Sequence, residues 1–355
     1  MSKKDQKTEQ KSLLNTECSR RNFLRGSAAV AAGLALGGMA TSCAGAPRPA
    51  QAAVEAVPLD PLLAELKAAI VSWINSPAND SRIMPPMIMS PTRVPFYEDH
   101  ILIGVASGAD PIWNEFKTDA VVSSEHFTPR EAFLLAFPQE TSVRPEDLSV
   151  VSWIMPMTEA GAEANRRETF HPSYRWARFE GFRCSMSVVP IKKHVVNELT
   201  FRGIQAVASQ TLPEFRIFAT ERFGRGSNWS ERHAAYAAGL GTFGLSDGLI
   251  TPIGKNIITS SVVFRHRMQA TPRPYKSHRE YCLFFKDGSC GECIRRCPSG
   301  SVRAEGRDKI ACWNHNFITI AAWMKETWGR ENGYGCGMCM TGVPCESRIP
   351  PGIFV

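Results

Sequence analysis

The chain has 355 residues, 43% of them hydrophobic and 21% charged, with a formal net charge of +7 and eleven cysteines. That length suits one large domain or two smaller ones and can bury a core without staples, which argues against a small disulfide-framed fold. Residues 1–52 hold eight Lys/Arg and three acids, +5 of the +7, so the remaining +2 offers no basic footprint for nucleic acid.

The first segment reads as an address. Ser19-Arg20-Arg21-Asn22-Phe23-Leu24-Arg25 is a twin-arginine signal motif behind a lysine-rich lead. The Ala/Gly-rich run Gly26–Ala40 that follows is shorter than the roughly 20 residues a membrane-spanning helix needs. Residues 1–52 are therefore assigned as a signal peptide handled by the twin-arginine translocase. The destination is the periplasm or the outer face of the cytoplasmic membrane. Two processing sites compete. Ala50-Gln51-Ala52 is an A-x-A cleavage site, and Ala40-Thr41-Ser42-Cys43 resembles a lipoprotein box that would leave Cys43 lipidated. Release is favoured, because Ala40 stands where such a box usually has Leu.

The body follows as alternating helix and strand patterns. Leu62, Leu63, Leu66, Ile70 and Ile74 share one helical face, with Asp60 as N-cap and Pro61 at the first helical position. The Pro-rich stretch Met84–Pro95 reads as a wrapped loop. Ile101–Ala106 is a short strand, and Pro129–Phe137 a helix capped by Thr128. Ser149–Met157, Cys184–Pro190 and Ile257–Phe264 read as buried strands. The fold class is α/β (α+β). Residues 53–270 form the core domain and residues 271–355 a cysteine-bearing domain. Cys184 stands alone and reads as a buried thiol.

Eight cysteines crowd the last part of the chain: Cys282, Cys290, Cys293, Cys297, Cys312, Cys336, Cys339 and Cys345. Eight thiolates are what two 4Fe–4S clusters require. Cys290-x2-Cys293-x3-Cys297-Pro298 matches three of the four cysteines of a bacterial ferredoxin run, in which the cysteine before proline serves the other cluster. Structural zinc has no use for the x3-Cys-Pro continuation. Asp287 occupies the position of the usual first cysteine, so Cys282 must reach in by a turn at Asp287-Gly288. Cys339-x5-Cys345 is two residues longer than the common spacing. The resulting assignment is Cys282, Cys290, Cys293 and Cys345 on one cluster, and Cys297, Cys312, Cys336 and Cys339 on the other.

Upstream lies Asn228–Thr251, NWSERHAAYAAGLGTFGLSDGLIT. Ser230 can cap a helix running to about Ala238, and Gly239, Gly241, Gly244 and Gly248 follow closely. The string Gly239–Gly244 matches G-x-G-x-x-G, but it follows a helix instead of joining a strand to one, so a dinucleotide-binding reading fails on context. The glycines are either a tight corner or a loop that lets backbone approach a cofactor. A reductive site needs a proton donor and a group to hold charge on the leaving atom. Tyr236 and His233 sit three apart on one helical face, with Asn228 and Arg232 beside them. Tyr174 and Arg178 form a second pair. Half-buried packing is the competing reading for each.

A Glu-Arg helix, an AGLG turn, an apolar hairpin and a CxxCxxxCP module together resemble the epoxyqueuosine reductase and reductive dehalogenase superfamily. The residues that carry the resemblance are Glu231-Arg232, Ala238-Gly239-Leu240-Gly241, Leu249-Ile250-Thr251, Gly254-Lys255-Asn256 and the eight cysteines, within Val150–Cys345. It implies a mixed-sheet, nitroreductase-like core of corrinoid type, followed by a two-cluster ferredoxin-like domain. It further implies electrons passing through two 4Fe–4S clusters to a corrinoid (cobalamin), a small-molecule substrate and a redox donor at the membrane. Gly239, Gly241, Gly244 and Thr251 are the cofactor-contacting candidates on that reading, and Tyr236, His233 and Asn228 the catalytic ones. Seven positions before its Glu-Arg pair, where epoxyqueuosine reductases are acidic, this chain has Gly224. The alternative function is a ferredoxin-type electron carrier without a substrate site. Mass spectrometry of the mature protein is expected to find Ala53 as its first residue; an acylated Cys43 would reverse the order of the two processing sites.

Overall fold

The computed structural model describes residues 60–79, 95–177, 188–329 and 335–353. Helix α1 (Pro61–Asn75) starts where Asp60 Oδ1 accepts the Leu62 N–H at 2.9 Å, and it buries Leu63, Leu66, Ile70 and Ile74. Strand β1 (Leu102–Ser107) and the short helix α2 (Ile112–Phe116) come next. Helix α3 (Pro129–Ala136) opens on a reciprocal capping box between Thr128 and Glu131. Strand β2 (Ser149–Pro156) is buried along its whole length and leads into helix α4 (Glu159–Arg166).

Val189 and Pro190, read from the sequence as the end of a strand, instead open helix α5 (Val189–Phe201). Proline is favoured in a first helical turn, and Ile191, Val195 and Leu199 recur every four residues on one buried face. The rest of that strand assignment, with Cys184, lies outside the described residues. So do the leader, Cys43, Arg178 and nearly all of the Pro-rich stretch.

Strands β3 (Ala206–Val207), β4 (Ile217–Phe218) and β5 (Gly226–Ser227) precede helix α6 (Glu231–Ala237). The hairpin of β6 (Thr242–Phe243) and β7 (Leu249–Ile250) follows, and then the long strand β8 (Ile257–Phe264). The main sheet has the order β1-β2-β8-β3, and each of its pairings is antiparallel. Among the described residues the sheet is therefore antiparallel throughout, where the resemblance implied a mixed one. Alternating helices and strands set the layers but not the strand directions. Here the connection leaving Ser107 returns to the same end of the sheet, where Ser107 pairs with Ser149.

Period-two alternation divides the core into two layers. Val151, Trp153 and Met155 of β2 point with Val105, Val262 and Phe264 toward α1 and α5. Val150 and Ile154 point with Ala106 and Val263 toward α2, α3 and α6. Lys192 of α5 and Glu231 of α6 meet at 2.6 Å, both buried, and Ser261 of β8 donates to the same carboxylate.

The cysteine-bearing part is built from short pieces. Helices α7 (Leu283–Asp287) and α8 (Glu292–Arg295) are followed by the β9–β10 hairpin (Val302–Arg303, Gly306–Arg307). Helix α9 (Lys309–Asn314) passes through a π turn at His315–Thr319 into α10 (Ile320–Trp328). Several contacts dock this part onto the core. Arg296 donates to the carbonyls of Asn165, Arg166 and Glu168 at the end of α4, and to that of Thr341. Arg166 pairs with the buried Glu346 at 2.7 Å. The Lys255 N–H donates to the Cys345 carbonyl at 2.8 Å. Among the described residues no helix is long and apolar enough to cross a membrane.

Replacing Lys192 with Met leaves Glu231 buried without its counter-ion, so we expect a loss of about 3–5 kcal/mol in denaturant unfolding. A loss below about 1 kcal/mol would show that the pair does not hold α5 to α6.

Candidate functional site

All eight cysteines of the end region are free thiols. Four of them, Cys282, Cys290, Cys293 and Cys345, line one small cavity together with Lys255, Gly244, Leu245 and Ile250. Cys282 sits at the N-cap of α7, and Gly288 closes that helix in the left-handed conformation (φ 73°). The chain thus folds back to bring Cys282 within electrostatic reach of Cys290. Asp287 points away: it is exposed, and its carboxylate accepts the Ser289 N–H at 2.9 Å.

The other four gather on the far side of α8. Burial pushes the Cys336 thiol well up, and Cys339, Cys312 and Cys297 add to the shift as near neighbours. Asn316, on the π turn, ties two of them together: its Nδ2 donates to Cys312 and its Oδ1 accepts the Cys336 N–H at 2.6 Å. Cys297 lies 3.5 Å from the Ser299 hydroxyl and 3.3 Å from that of Ser301. Burial works to raise its pKa, but these hydrogen bonds bring it below the ordinary thiol value. The two groups adjoin, because Cys293 of the first also feels Cys339 of the second; burial is the main reason its pKa rises to about 11. Among the described residues no three His, Cys, Asp or Glu side chains converge to hold a single ion.

Beside each group stands a cation, Lys255 buried and Arg307 half-buried, to which the sequence reading gave no role. Lys255 is 2% exposed, and its ammonium donates to Ser246 Oγ at 3.1 Å. Burial works against its charge, yet the thiols of Cys345, Cys339, Cys293 and Cys282 outweigh it and raise the pKa. Arg307 donates from Nη2 to Cys312 Sγ at 2.7 Å and from Nη1 to the Ser246 carbonyl at 3.3 Å. Spacing relative to the cysteines was the only signal available for Arg307, and the Gly-Lys-Asn string for Lys255.

The residues assigned to a cofactor from the sequence meet the chain itself. A Cβ on Gly241 would lie 2.2 Å from the Ile250 carbonyl oxygen, and one on Gly239, at φ 78°, 2.6 Å from that of Pro272. Gly244 packs on the Ile250 side chain, and the Thr251 hydroxyl closes its own turn on the Gly254 carbonyl at 2.7 Å. Asn228 is similarly engaged: Oδ1 accepts the Arg216 N–H at 3.0 Å and Nδ2 donates to the Glu214 carbonyl at 2.8 Å.

His233 and Tyr236 do come together, around Phe116 and Phe243. The His233 ring lies 4.9 and 4.7 Å from these two, and the Tyr236 ring 6.5 and 5.8 Å. Burial, with the positive charge of its neighbours, pushes His233 well below the usual histidine value, so the ring is neutral; Ser230 Oγ meets its Nδ1 at 2.8 Å. Tyr236 is raised by burial, which keeps the phenol protonated. Among the described residues its hydroxyl has no hydrogen-bond partner. It packs against both the α6 side of the core and the cluster holding Cys282, Cys293 and Cys345. Tyr174 lies elsewhere, against Trp328.

Residues 17–37 match the family model of the TAT (twin-arginine translocation) pathway signal sequence, so the chain carries an export leader. No curated protein matches the sequence. Among solved structures the chain is similar to a selenomethionine-labelled epoxyqueuosine reductase, at 14% identity over 82% of this chain and 68% of that one, with a TM-score of 0.41. It is similar to epoxyqueuosine reductase from Bacillus subtilis at 15% over 82% and 68%, TM-score 0.36. It is also similar to the catabolic reductive dehalogenase NpRdhA at 12% over 70% and 30%, TM-score 0.41.

His126 orients the start of α6, accepting the Ser230 N–H on Nε2 at 3.1 Å, and burial lowers its pKa to about 4. The unfolded imidazole takes up a proton near its ordinary pKa of 6.5, whereas the folded one resists until about 4. Stability is therefore lost as pH falls through that window, by about 3 kcal/mol from this group. His126→Gln should flatten that part of the pH–stability curve; an unchanged slope would contradict the assignment.

Proposed function

We propose that the protein is an exported iron–sulfur oxidoreductase, in which two 4Fe–4S clusters pass electrons to a small organic molecule bound beside α6. The observation that carries this reading is the gathering of eight free thiols into two adjoining groups of four. Cys282, Cys290, Cys293 and Cys345 would hold one cluster, and Cys297, Cys312, Cys336 and Cys339 the other. Their donor set fits, being all thiol. Bound clusters supply one electron each. The twin-arginine leader supports the same reading, because that route takes proteins already folded around a cofactor.

The chain's own residues supply the rest of a reduction. Reductive cleavage of a carbon–leaving-group bond takes two electrons and one proton and releases the leaving group as an anion. Tyr236 is the proton donor: its phenol stays protonated and its hydroxyl is unengaged among the described residues. The neutral His233 packs beside it and shapes the aromatic wall. Asn228 holds the Arg216 backbone and has a structural role.

The corrinoid implied by the resemblance finds no cradle in the four residues named for it. Gly239, Gly241 and Gly244 are filled by the chain's own atoms, and the Thr251 hydroxyl is engaged. We route no step through a corrinoid. The same observation favours a second reading, an electron carrier that hands its electrons to a separate enzyme.

One assay separates the two. Anaerobically reconstituted protein, reduced by a low-potential viologen dye, is offered a panel of halogenated aromatics and epoxides, with cobalt measured on the same sample. The enzyme reading expects turnover without cobalt, and a loss of at least about 100-fold in Tyr236→Phe, the size of a missing general acid. Dye oxidation by an added acceptor protein, with no turnover of any small molecule, would establish the carrier.

A further inference from the structure

Lys255 is a buried charge and Arg307 a half-buried one, of a kind folded proteins rarely tolerate alone. Among the described residues neither forms an ion pair with a carboxylate, and each faces thiols instead. A buried charge must be paired or hydrogen-bonded, and the groups in contact with these two are cysteines and Ser246, with Asp247 adding a longer-range attraction on Arg307. Lys255 stands in the cavity of Cys282, Cys290, Cys293 and Cys345, and Arg307 touches Cys312 of the other group.

Ser246 joins them. It is 1% exposed and sits in the β6–β7 turn, where its hydroxyl accepts from Lys255 and its carbonyl from Arg307. The turn is fixed by the Gly244 N–H donating to the Gly248 carbonyl at 2.8 Å and the Asp247 N–H to the Gly244 carbonyl at 2.9 Å. Asp247 itself takes a positive φ of 57°, which Asp accepts more readily than most residues. Gly248 makes room for the lysine stem: a Cβ there would lie 2.7 Å from Lys255 Cδ. The glycines read from the sequence as a place of close approach thus allow a lysine and an arginine to be carried in from the core and from the β9–β10 hairpin.

We infer that Lys255 and Arg307 are positioning cations, one for each four-cysteine group, linked through Ser246, and that they set the reduction potentials of the two centres. The inference rests on the two-cluster reading proposed above. Reducing a thiolate-bound cluster adds a negative charge at a dry site, and a cation fixed beside it stabilises the reduced form more than the oxidised one. Each cation therefore raises the potential of its own centre. Ser246 anchors both, so losing its side chain affects both centres.

The test is an anaerobic redox titration of the reconstituted mature protein, followed by electron paramagnetic resonance, with iron measured on each sample. Lys255→Met should lower one centre's midpoint by at least a tenfold change in its reduced-to-oxidised ratio, about 59 mV for one electron, and leave the other near the parent value. Arg307→Met should do the same to the other centre. Ser246→Ala should shift both, by less. Lys255→Arg and Arg307→Lys should restore most of each shift. Should a Met variant lose its iron, retention by the charge-keeping partner upholds the role of the charge, and loss in both overturns it. Unshifted potentials in iron-replete Met variants also overturn the inference. A parent protein with no cluster signal fails the two-cluster reading instead.

Discussion

Cationic charge set beside thiols, with no ion-paired carboxylate among the described residues, is the constraint around which the seam between core and cysteine-bearing end is arranged. The Lys255 ammonium and the Arg307 guanidinium both donate to Ser246, one to its hydroxyl and one to its carbonyl. Neither position would be tolerable in an apolar seam, where an isolated charge costs several kcal/mol. The thiols make them tolerable, and in return the cations favour the thiolate form of their neighbours. On the proposed two-cluster reading, folding, metal binding and electron storage would be coupled at one place. The glycine-rich turn is the hinge of that arrangement, because Gly248 leaves the lysine its path and Ser246 supplies both acceptors.

The core's part is to hold this seam still. Strands β2 and β8 are buried on both faces, which gives a rigid sheet from which the Gly254–Asn256 segment can reach the cysteine end. There Lys255 N–H meets the Cys345 carbonyl, and Gly254 lies so close to Glu346 that a Cβ would meet its carbonyl oxygen at 2.2 Å. Arg296 closes the same seam from the other side by capping the C-terminal carbonyls of α4. That arginine lies between Cys293 and Cys297, so the segment that bears the thiols also fastens them to the core.

Much of this was legible in the residues. Asp60-Pro61 and Thr128-Pro129 announced two helices because capping chemistry is local. The run from Ser149 announced a buried strand because its apolar residues are unbroken. Ferredoxin spacing led to the proposed grouping of the cysteines, and Cys282 does come near Cys290 around the turn at Gly288. What was not legible depended on pairing across long sequence distances. The antiparallel sheet is set by where connections return, which no local pattern records. Helix α5 was hidden because Pro190 reads as a strand end until its position in a first turn is known. Lys255 and Arg307 are ordinary basic residues in the sequence, and only burial beside thiols distinguishes them. Gly239 and Gly241 signalled close approach correctly, but not that the approaching group is the chain's own backbone.

The proposed chemistry is reductive and depends on the clusters those thiols would hold. A protonated phenol and an aromatic wall on α6 pack against the cluster that contains Cys282, Cys293 and Cys345. The most direct test of the central claim is Mössbauer spectroscopy of protein grown on enriched iron and purified without oxygen, read together with total iron and sulfide. The account predicts that the iron is all in 4Fe–4S form, at about eight atoms of iron and eight of sulfide per chain. About four irons per chain, or zinc in place of iron, would contradict it.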